Sequence, residues 1–185
     1  MPFQLLESLA IVVILGLSHG LDPDHVVMTR MLKRFSKVIS FALFHSAGFL
    51  VIALPLALVI LSFSWAKGAI AIGSYAVGMA VSVVFLWASL IGREIEVEPK
   101  GLGLIQGALV LTPSKVLSLT IALASGEIAY SALILLAFIA SSFVSLLVLS
   151  LVNLVPIKVE KPFNLAISLI SLGYIAYELL TSLGV

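Results

Sequence analysis

The sequence predicts an all-α integral membrane protein, a single transmembrane domain over residues 1–185 with six helical spans in two inverted three-helix repeats. Three observations lead there. The chain is 62% hydrophobic and only 10% charged, with a mean hydropathy of +1.27. A soluble domain uses about a quarter charged residues, so the surplus apolar surface here must face lipid. Long apolar runs alternate with short charged clusters, the hydropathy pattern of membrane spans. Shifting the sequence by 90 residues also aligns its two halves without gaps, and lays Asp22-Pro-Asp-His-Val26 over Thr112-Pro-Ser-Lys-Val116.

The six segments run roughly over 4–32, 38–63, 69–92, 102–126, 129–153 and 163–183. The second, third, fifth and sixth are continuous and exceed the ~20 residues needed to cross a hydrocarbon core. The N-terminus has no basic n-region and no small-residue cleavage site, so it reads as the start of the first span rather than a signal peptide. The connectors Lys33–Lys37, Ser64–Gly68, Arg93–Gly101, Gly126–Ile128 and Val155–Pro162 leave no room for a soluble domain. Basic residues mark the orientation. Arg30, Lys33, Arg34, Lys37, Arg93, Lys100, Lys158 and Lys161 lie at the odd connectors, against Lys67 alone at the even ones. By the positive-inside rule the odd connectors are cytoplasmic, with both termini outside a multi-pass plasma-membrane protein. Each half, about 1–92 and about 93–185, holds an odd number of spans, so the second half enters from the opposite side.

The first and fourth segments are interrupted near their middles. Asp22 and Thr112 are good N-cap residues, and Pro23 and Pro113 suit the first position of a helix. Each motif reads as a helix that stops and restarts within a span. Freed backbone at that depth is tolerated only where it faces protein or water. Paired proline-broken segments in the two halves are the best sequence pointer to a transport site. The plain alternative is two kinked helices, and kinks alone do not require buried charge.

Buried charge is what the first break carries. His19, Asp22, Asp24 and His25 fall within seven residues, and the third histidine of the chain, His45, lies in the second segment. An ionisable group in a span costs about 2.5–3.5 kcal/mol on insertion scales. One such histidine is commonly a helix-to-helix hydrogen bond; four such groups together point to binding of a cation or of protons. Imidazole with carboxylate and no sulfur suits Ni²⁺, Co²⁺, Zn²⁺ or Fe²⁺ and disfavours Cu⁺, while Mg²⁺ and Ca²⁺ prefer oxygen alone. The absence of cysteine excludes disulfides, thiolate sites and thiol redox chemistry. A net charge of +1 gives no bias toward nucleic acid.

His19-Gly-Leu-Asp-Pro-Asp-His25 resembles the His-x4-Asp-His signature of the nickel/cobalt transporter family and its smaller urease-accessory-type relatives. Phe44-His-Ser-Ala-Gly48 resembles that family's second motif, with Phe49 where the motif usually continues to another histidine. Gly107 to Ser118, with Thr112-Pro-Ser, is similar to the proline motif that opens the second repeat in the broader lysine-exporter-like superfamily. The resemblance implies that His19, Asp24 and His25 bind a transported metal, with Asp22 and His45 contributing, and it favours Ni²⁺ or Co²⁺ over Zn²⁺ or Fe²⁺.

Lys115 falls on His25 in the 90-residue alignment, and a buried lysine needs a partner. One expectation pairs its ammonium with Asp22 or Asp24 until a metal ion displaces it; the other has it snorkel or bind helix carbonyls. Ser46, Thr112 and Ser114, with Ser18 and Thr29, are candidate pathway residues, though such side chains also glue helices together. Tyr75, Gln106 and Asn153 are candidate supporting groups. Gly73, Gly78, Gly103 and Gly107 are expected at close helix contacts. Trp65, Trp87, Tyr174 and Tyr177 read as interface anchors, and Glu94, Glu96 and Glu98 as a solvated acidic loop.

The functional expectation is a secondary transporter, not an enzyme, that moves a divalent transition metal by rocking two repeats about a midplane site. Transport should depend on pH, because metal binding displaces protons from histidine. No GxxxxGK[ST] motif is present. The alternatives are an intramembrane metalloenzyme using the same ligands, with Asp22 as its acid/base, or a non-transporting accessory subunit that delivers metal to a partner. The small core would allow a homodimer, for which no motif speaks.

Overall fold

The computed structural model describes residues 2–53, 55, 64–92, 97–110, 112–155 and 157–183. Among the described residues there is no strand. The helices are α1 (Pro2–Gly20), α2 (Pro23–Leu32), α3 (Phe35–Gly48), α4 (Ser64–Ile91), α5 (Pro99–Leu109), α6 (Pro113–Ala124), α7 (Ile128–Leu149) and α8 (Ile157–Leu183). A π-helical turn, Phe49–Ala53, prolongs α3, and a 3-10 turn, Ser150–Leu154, prolongs α7.

Three stretches are long and apolar enough to cross a membrane: Ile72–Ile91, Ile128–Leu154 and Lys158–Thr181. The number rises to five if α1 with α2, bent by 53°, and α5 with α6, bent by 63°, each count as one span. Both breaks fall where proline stands, because its ring cannot continue a preceding helix without a clash but starts a new one freely. The apolar helix Phe35–Val51 is shorter. The rest of the predicted second span, residues 54 and 56–63, lies outside the described residues. Ile128 and Leu154 are exposed, as are Ile14, Val51 and Trp87, so the outer surface is compatible with a lipid environment.

The closest packing joins the two halves of the chain: α1 against α7, α3 against α5, and α4 against α8. Glycines make the first two contacts so close. A Cβ on Gly16 would stand 2.5 Å from the Phe138 carbonyl oxygen, and one on Gly20 would stand 3.0 Å from that of Ser142. A Cβ on Gly103 would stand 2.5 Å from the Phe41 carbonyl oxygen, and one on Gly107 would overlap the carbonyl of His45. Each half thus contributes a Gly-x3-Gly pair, which lets backbones approach and trades side-chain bulk for dispersion contact. The register of these contacts sets direction. Contacts climb together from Gly16 to Gly20 and from Phe138 to Ser145, so α1 and α7 are parallel. The same holds for α3 and α5. Ser82 with Ser171 at 2.8 Å, and Tyr75 with Glu178 at 3.3 Å, make α4 and α8 antiparallel. Of the other predicted contact glycines, Gly78 meets Ile175, whereas nothing lies within 4 Å of a Cβ on Gly73.

Four charged positions differ from the sequence reading. Arg30 is not a connector residue but a buried one on α2. Its guanidinium donates to Asn164 Oδ1 at 2.8 Å, to the Val152 carbonyl at 3.0 Å and to Glu160 Oε1 at 3.2 Å. Five donors in a fixed fork let one arginine tie α2 to both ends of the α7–α8 turn. Lys158 and Lys161 lie on the first turns of α8, which begins before Pro162 rather than after it. Glu98 is no loop carboxylate but the N-cap of α5, accepting from Gly101 N–H; Glu94 and Glu96 lie outside the described residues.

Gly107→Ala is expected to destabilise the protein by about 1–3 kcal/mol, because backbone atoms of α3 cannot yield to the new methyl group. Gly73→Ala should leave stability unchanged or raise it by about 0.5–1 kcal/mol through helix propensity. Thermal unfolding of the two variants in the same detergent, followed by circular dichroism, compares them.

Candidate metal centre

The centre begins with the end of α1. Its last turn tightens, with Leu21 N–H on the Ser18 carbonyl at 2.9 Å and Asp22 N–H on that of His19 at 3.2 Å. Such bonds absorb carbonyls that a terminating helix leaves unpaired. Asp22 then occupies the N-cap position of α2, and Thr112 that of α6, as expected. Neither side chain caps its helix. Both turn to one imidazole instead: His19 Nδ1 lies 3.0 Å from Asp22 Oδ2 and 3.3 Å from Thr112 Oγ1. The two breaks therefore converge on His19.

With Nδ1 donating its proton to Asp22, His19 keeps a lone pair on Nε2. A carboxylate on the far nitrogen is the usual way a metal-binding histidine is held in one tautomer. His19 Nε2 faces His45 Nε2 at 3.4 Å. Two nitrogens bound at ~2.0–2.1 Å to one tetrahedral ion would stand about 3.4 Å apart. His25 completes the group, with ring centroids 4.7 Å from His19 and 4.9 Å from His45. All three rings are buried, at 1%, 1% and 3% exposure. Phe138 stacks on His19 at 5.7 Å, and Phe41 lies against His45 at 5.6 Å, so each flanking apolar cluster supplies one wall.

Both ring nitrogens of His25, and Nδ1 of His45, have no hydrogen-bond partner among the described residues. Burying an unpaired polar group costs on the order of 1–3 kcal/mol. A neutral imidazole carries one lone pair and one N–H, so these two rings can each offer one lone pair, and a transition-metal ion is a group that accepts it. The second carboxylate stands beside them. Asp24 Oδ1 lies 3.4 Å from His25 Nδ1, and its Oδ2 accepts from Gln106 Nε2 at 2.7 Å. Gln106 comes from α5, so the second half of the chain positions a carboxylate of the first. Gln106 Oε1 and Thr29 Oγ1 are also buried without a partner.

Lys115 follows the second expectation for it. Its ammonium does not pair with Asp22 or Asp24 but donates to the carbonyls of Val110 at 2.7 Å, Gly107 at 3.2 Å and Gln106 at 3.4 Å, with Nζ 5.7 Å from the centre of the Phe49 ring. The Gln106 carbonyl also accepts from Val110 N–H at 3.2 Å, and Ser74 Oγ donates to the Leu109 carbonyl at 2.7 Å, so the polar groups at the end of α5 are gathered by Lys115 and Ser74. A cation at a helix C-terminus also meets the negative end of its dipole. Lys115 closes the second break and stands outside the imidazole group.

The remaining candidates divide. Thr112 and Ser114 share a hydrogen bond of 2.8 Å beside His19. Ser46 bonds the Ala42 carbonyl of its own helix at 2.9 Å, and Ser18 that of Leu15. Of Tyr75, Gln106 and Asn153, Gln106 reaches the centre; Tyr75 binds Glu178, and Asn153 binds the Thr29 carbonyl at 3.1 Å. The sequence reading passed over Glu178, although a carboxylate in an apolar run was signal enough. It also passed over the walls Phe41 and Phe138, which no local pattern marks.

Lys115→Met should lower stability by about 1–3 kcal/mol through its orphaned carbonyls, whereas Ser46→Ala should change it by less than about 0.5 kcal/mol. Thermal unfolding in detergent separates the two. Comparison of the chain with protein-family models, with curated proteins and with solved structures finds no match in any of the three.

Proposed function

We propose that this chain is a secondary transporter of a divalent transition-metal cation, bound at the centre formed by His19, His25 and His45 with Asp22 and Asp24. One observation carries the reading: three buried imidazoles, two of them with ring nitrogens that make no hydrogen bond, converge where a helix long enough to help cross a membrane stops and restarts. Nitrogen ligands with carboxylates nearby select Ni²⁺, Co²⁺, Zn²⁺ or Fe²⁺ over Mg²⁺ and Ca²⁺. The resemblance of the His19–His25 motif puts Ni²⁺ and Co²⁺ first. Within this reading the chain has six spans in two inverted repeats, with both termini outside the plasma membrane and the odd connectors cytoplasmic.

Several features support that arrangement. The strongest contacts exchange under the 90-residue shift: α1 on α7 becomes α5 on α3, and α4 on α8 maps onto itself. Parallel α1 and α7, parallel α3 and α5, and antiparallel α4 and α8 are the directions that six alternating spans require. Arg30 in the last turn of α2 and Lys33 just after it lie 3.2 Å and 3.6 Å from Glu160 in the first turn of α8, as two helix ends on one side would. A centre closed to solvent, yet set between half-helices that end mid-span, is the arrangement in which alternating access moves an ion. A metalloenzyme or a delivery subunit would need a substrate path or a docking face, and neither has an observation in its favour.

The test is ion flux. Purified protein in proteoliposomes should move Ni²⁺ or Co²⁺ faster than protein-free vesicles, with Zn²⁺, Fe²⁺ and Mn²⁺ run alongside. His45→Ala should reduce flux at least tenfold. Absence of flux for all five ions would end the proposal.

A further inference from the structure

The five ligand candidates do not form one cage. Their donor atoms fall into two groups, each with all atoms within 4.8 Å of one another: His19, His25 and His45 in one, Asp22, Asp24 and His25 in the other. His25 alone belongs to both. His19 stands at the boundary, with Nδ1 turned to Asp22 and Nε2 turned to His45.

We propose that the centre is two overlapping stations for a single ion, one of three imidazoles and one of two carboxylates with an imidazole, joined by His25. The proposal rests on the metal-transport reading above and deepens it. Two acidic side chains alone would make no site. What points to a ligand is His25: the ring is 1% exposed, Nδ1 faces Asp24 Oδ1 at 3.4 Å, and neither nitrogen makes a hydrogen bond. Imidazole has two nitrogens on different edges and one lone pair in its neutral form, so His25 can serve each station in turn as its proton changes from one nitrogen to the other. Asp24 is already fixed for its part, with Oδ2 held by Gln106 and Oδ1 left on the His25 side. Asp22 likewise uses Oδ2 on His19.

The stations differ in access and in chemistry. The Asp22 side chain keeps 20% of its surface exposed, while the imidazoles are enclosed. The carboxylate station is therefore the outer one. Its two negative charges offset those of a dication arriving with part of its water, as harder ions such as Mn²⁺ prefer. The imidazole station offers three neutral nitrogens between Phe41 and Phe138, which favours Ni²⁺, Co²⁺ or Zn²⁺ and leaves oxygen-seeking ions behind. Two dications a ring's width apart would repel strongly in so dry a site, so the stations serve one ion in turn. Passage from one to the other is then a selection step.

Two measurements on the full chain in detergent, with any polyhistidine tag removed, decide the matter. Calorimetric titration with Ni²⁺ and with Mn²⁺ is expected to give a stoichiometry near one. His45→Ala should weaken Ni²⁺ binding at least tenfold more than Mn²⁺ binding, and Asp24→Asn should do the reverse. Parallel losses for both ions in both variants would overturn the two-station proposal and leave the transport reading standing. A wild-type protein that binds neither Ni²⁺ nor Mn²⁺ would overturn the proposal itself. X-ray absorption on the wild type does not depend on the variants folding. Imidazole scattering should be strong for bound Ni²⁺ and weak for bound Mn²⁺, and equal imidazole counts for the two ions would sink the proposal.

Discussion

A helix that ends away from water must dispose of its own polar ends, and the rest of this structure depends on how that is done at two points. At Pro23 the chain solves it with a tightened last turn of α1. At Pro113 it uses a lysine, folding Lys115 back over the break to gather three carbonyls. Buried backbone left unpaired costs about 1–3 kcal/mol per group, so each break depends on such a solution. At the start of each following helix, Asp22 and Thr112 cap nothing with their side chains and hold His19 between them instead.

Around that group the environment is dry and crowded on purpose. Aromatic walls exclude water, and glycine pairs bring α3 and α5 close enough that His45 on one stands over Gly107 on the other. Low polarity strengthens any interaction between the pocket and a charged ligand, and it raises the cost of leaving the pocket's nitrogens unused. The same crowding explains the orderly division of labour among the acids. Asp22 orients a ring, and Asp24 is oriented by an amide, with its other oxygen facing His25 Nδ1 at 3.4 Å.

Much of this was legible in the sequence, and the reasons are specific. Proline dictates backbone by itself, so the positions of both breaks could be read directly. Ionisable residues in apolar runs are costly enough that the clustering of His19, Asp22, Asp24 and His25 could not be neutral. What one-dimensional reading lacks is the identity of each side chain's partner. The N-cap positions were right, but the hydroxyl and carboxylate bond across space to His19. Lys115 had two equal candidate partners, and only the path of the chain after α5 decides for the carbonyls. Arg30 looked like an orienting surface charge because its acceptors, Val152, Glu160 and Asn164, are more than a hundred residues away. The Gly16–Gly20 pair has the spacing of a close helix contact, but spacing alone does not say that Phe138 and Ser142 are the backbone it meets.

The glycine contacts have a mechanical meaning. Main chain pressed on main chain neither slides nor compresses, because there is no side chain to change rotamer. Two such seams lock α1 to α7 and α3 to α5, and each seam crosses from one half of the chain to the other. Swinging one half as a rigid block would tear both. The short pieces beyond the prolines, the 10 residues of α2 and the 12 of α6, lie outside those seams. Each is fastened to the frame through a side chain, α2 by Arg30 and α6 by Lys115.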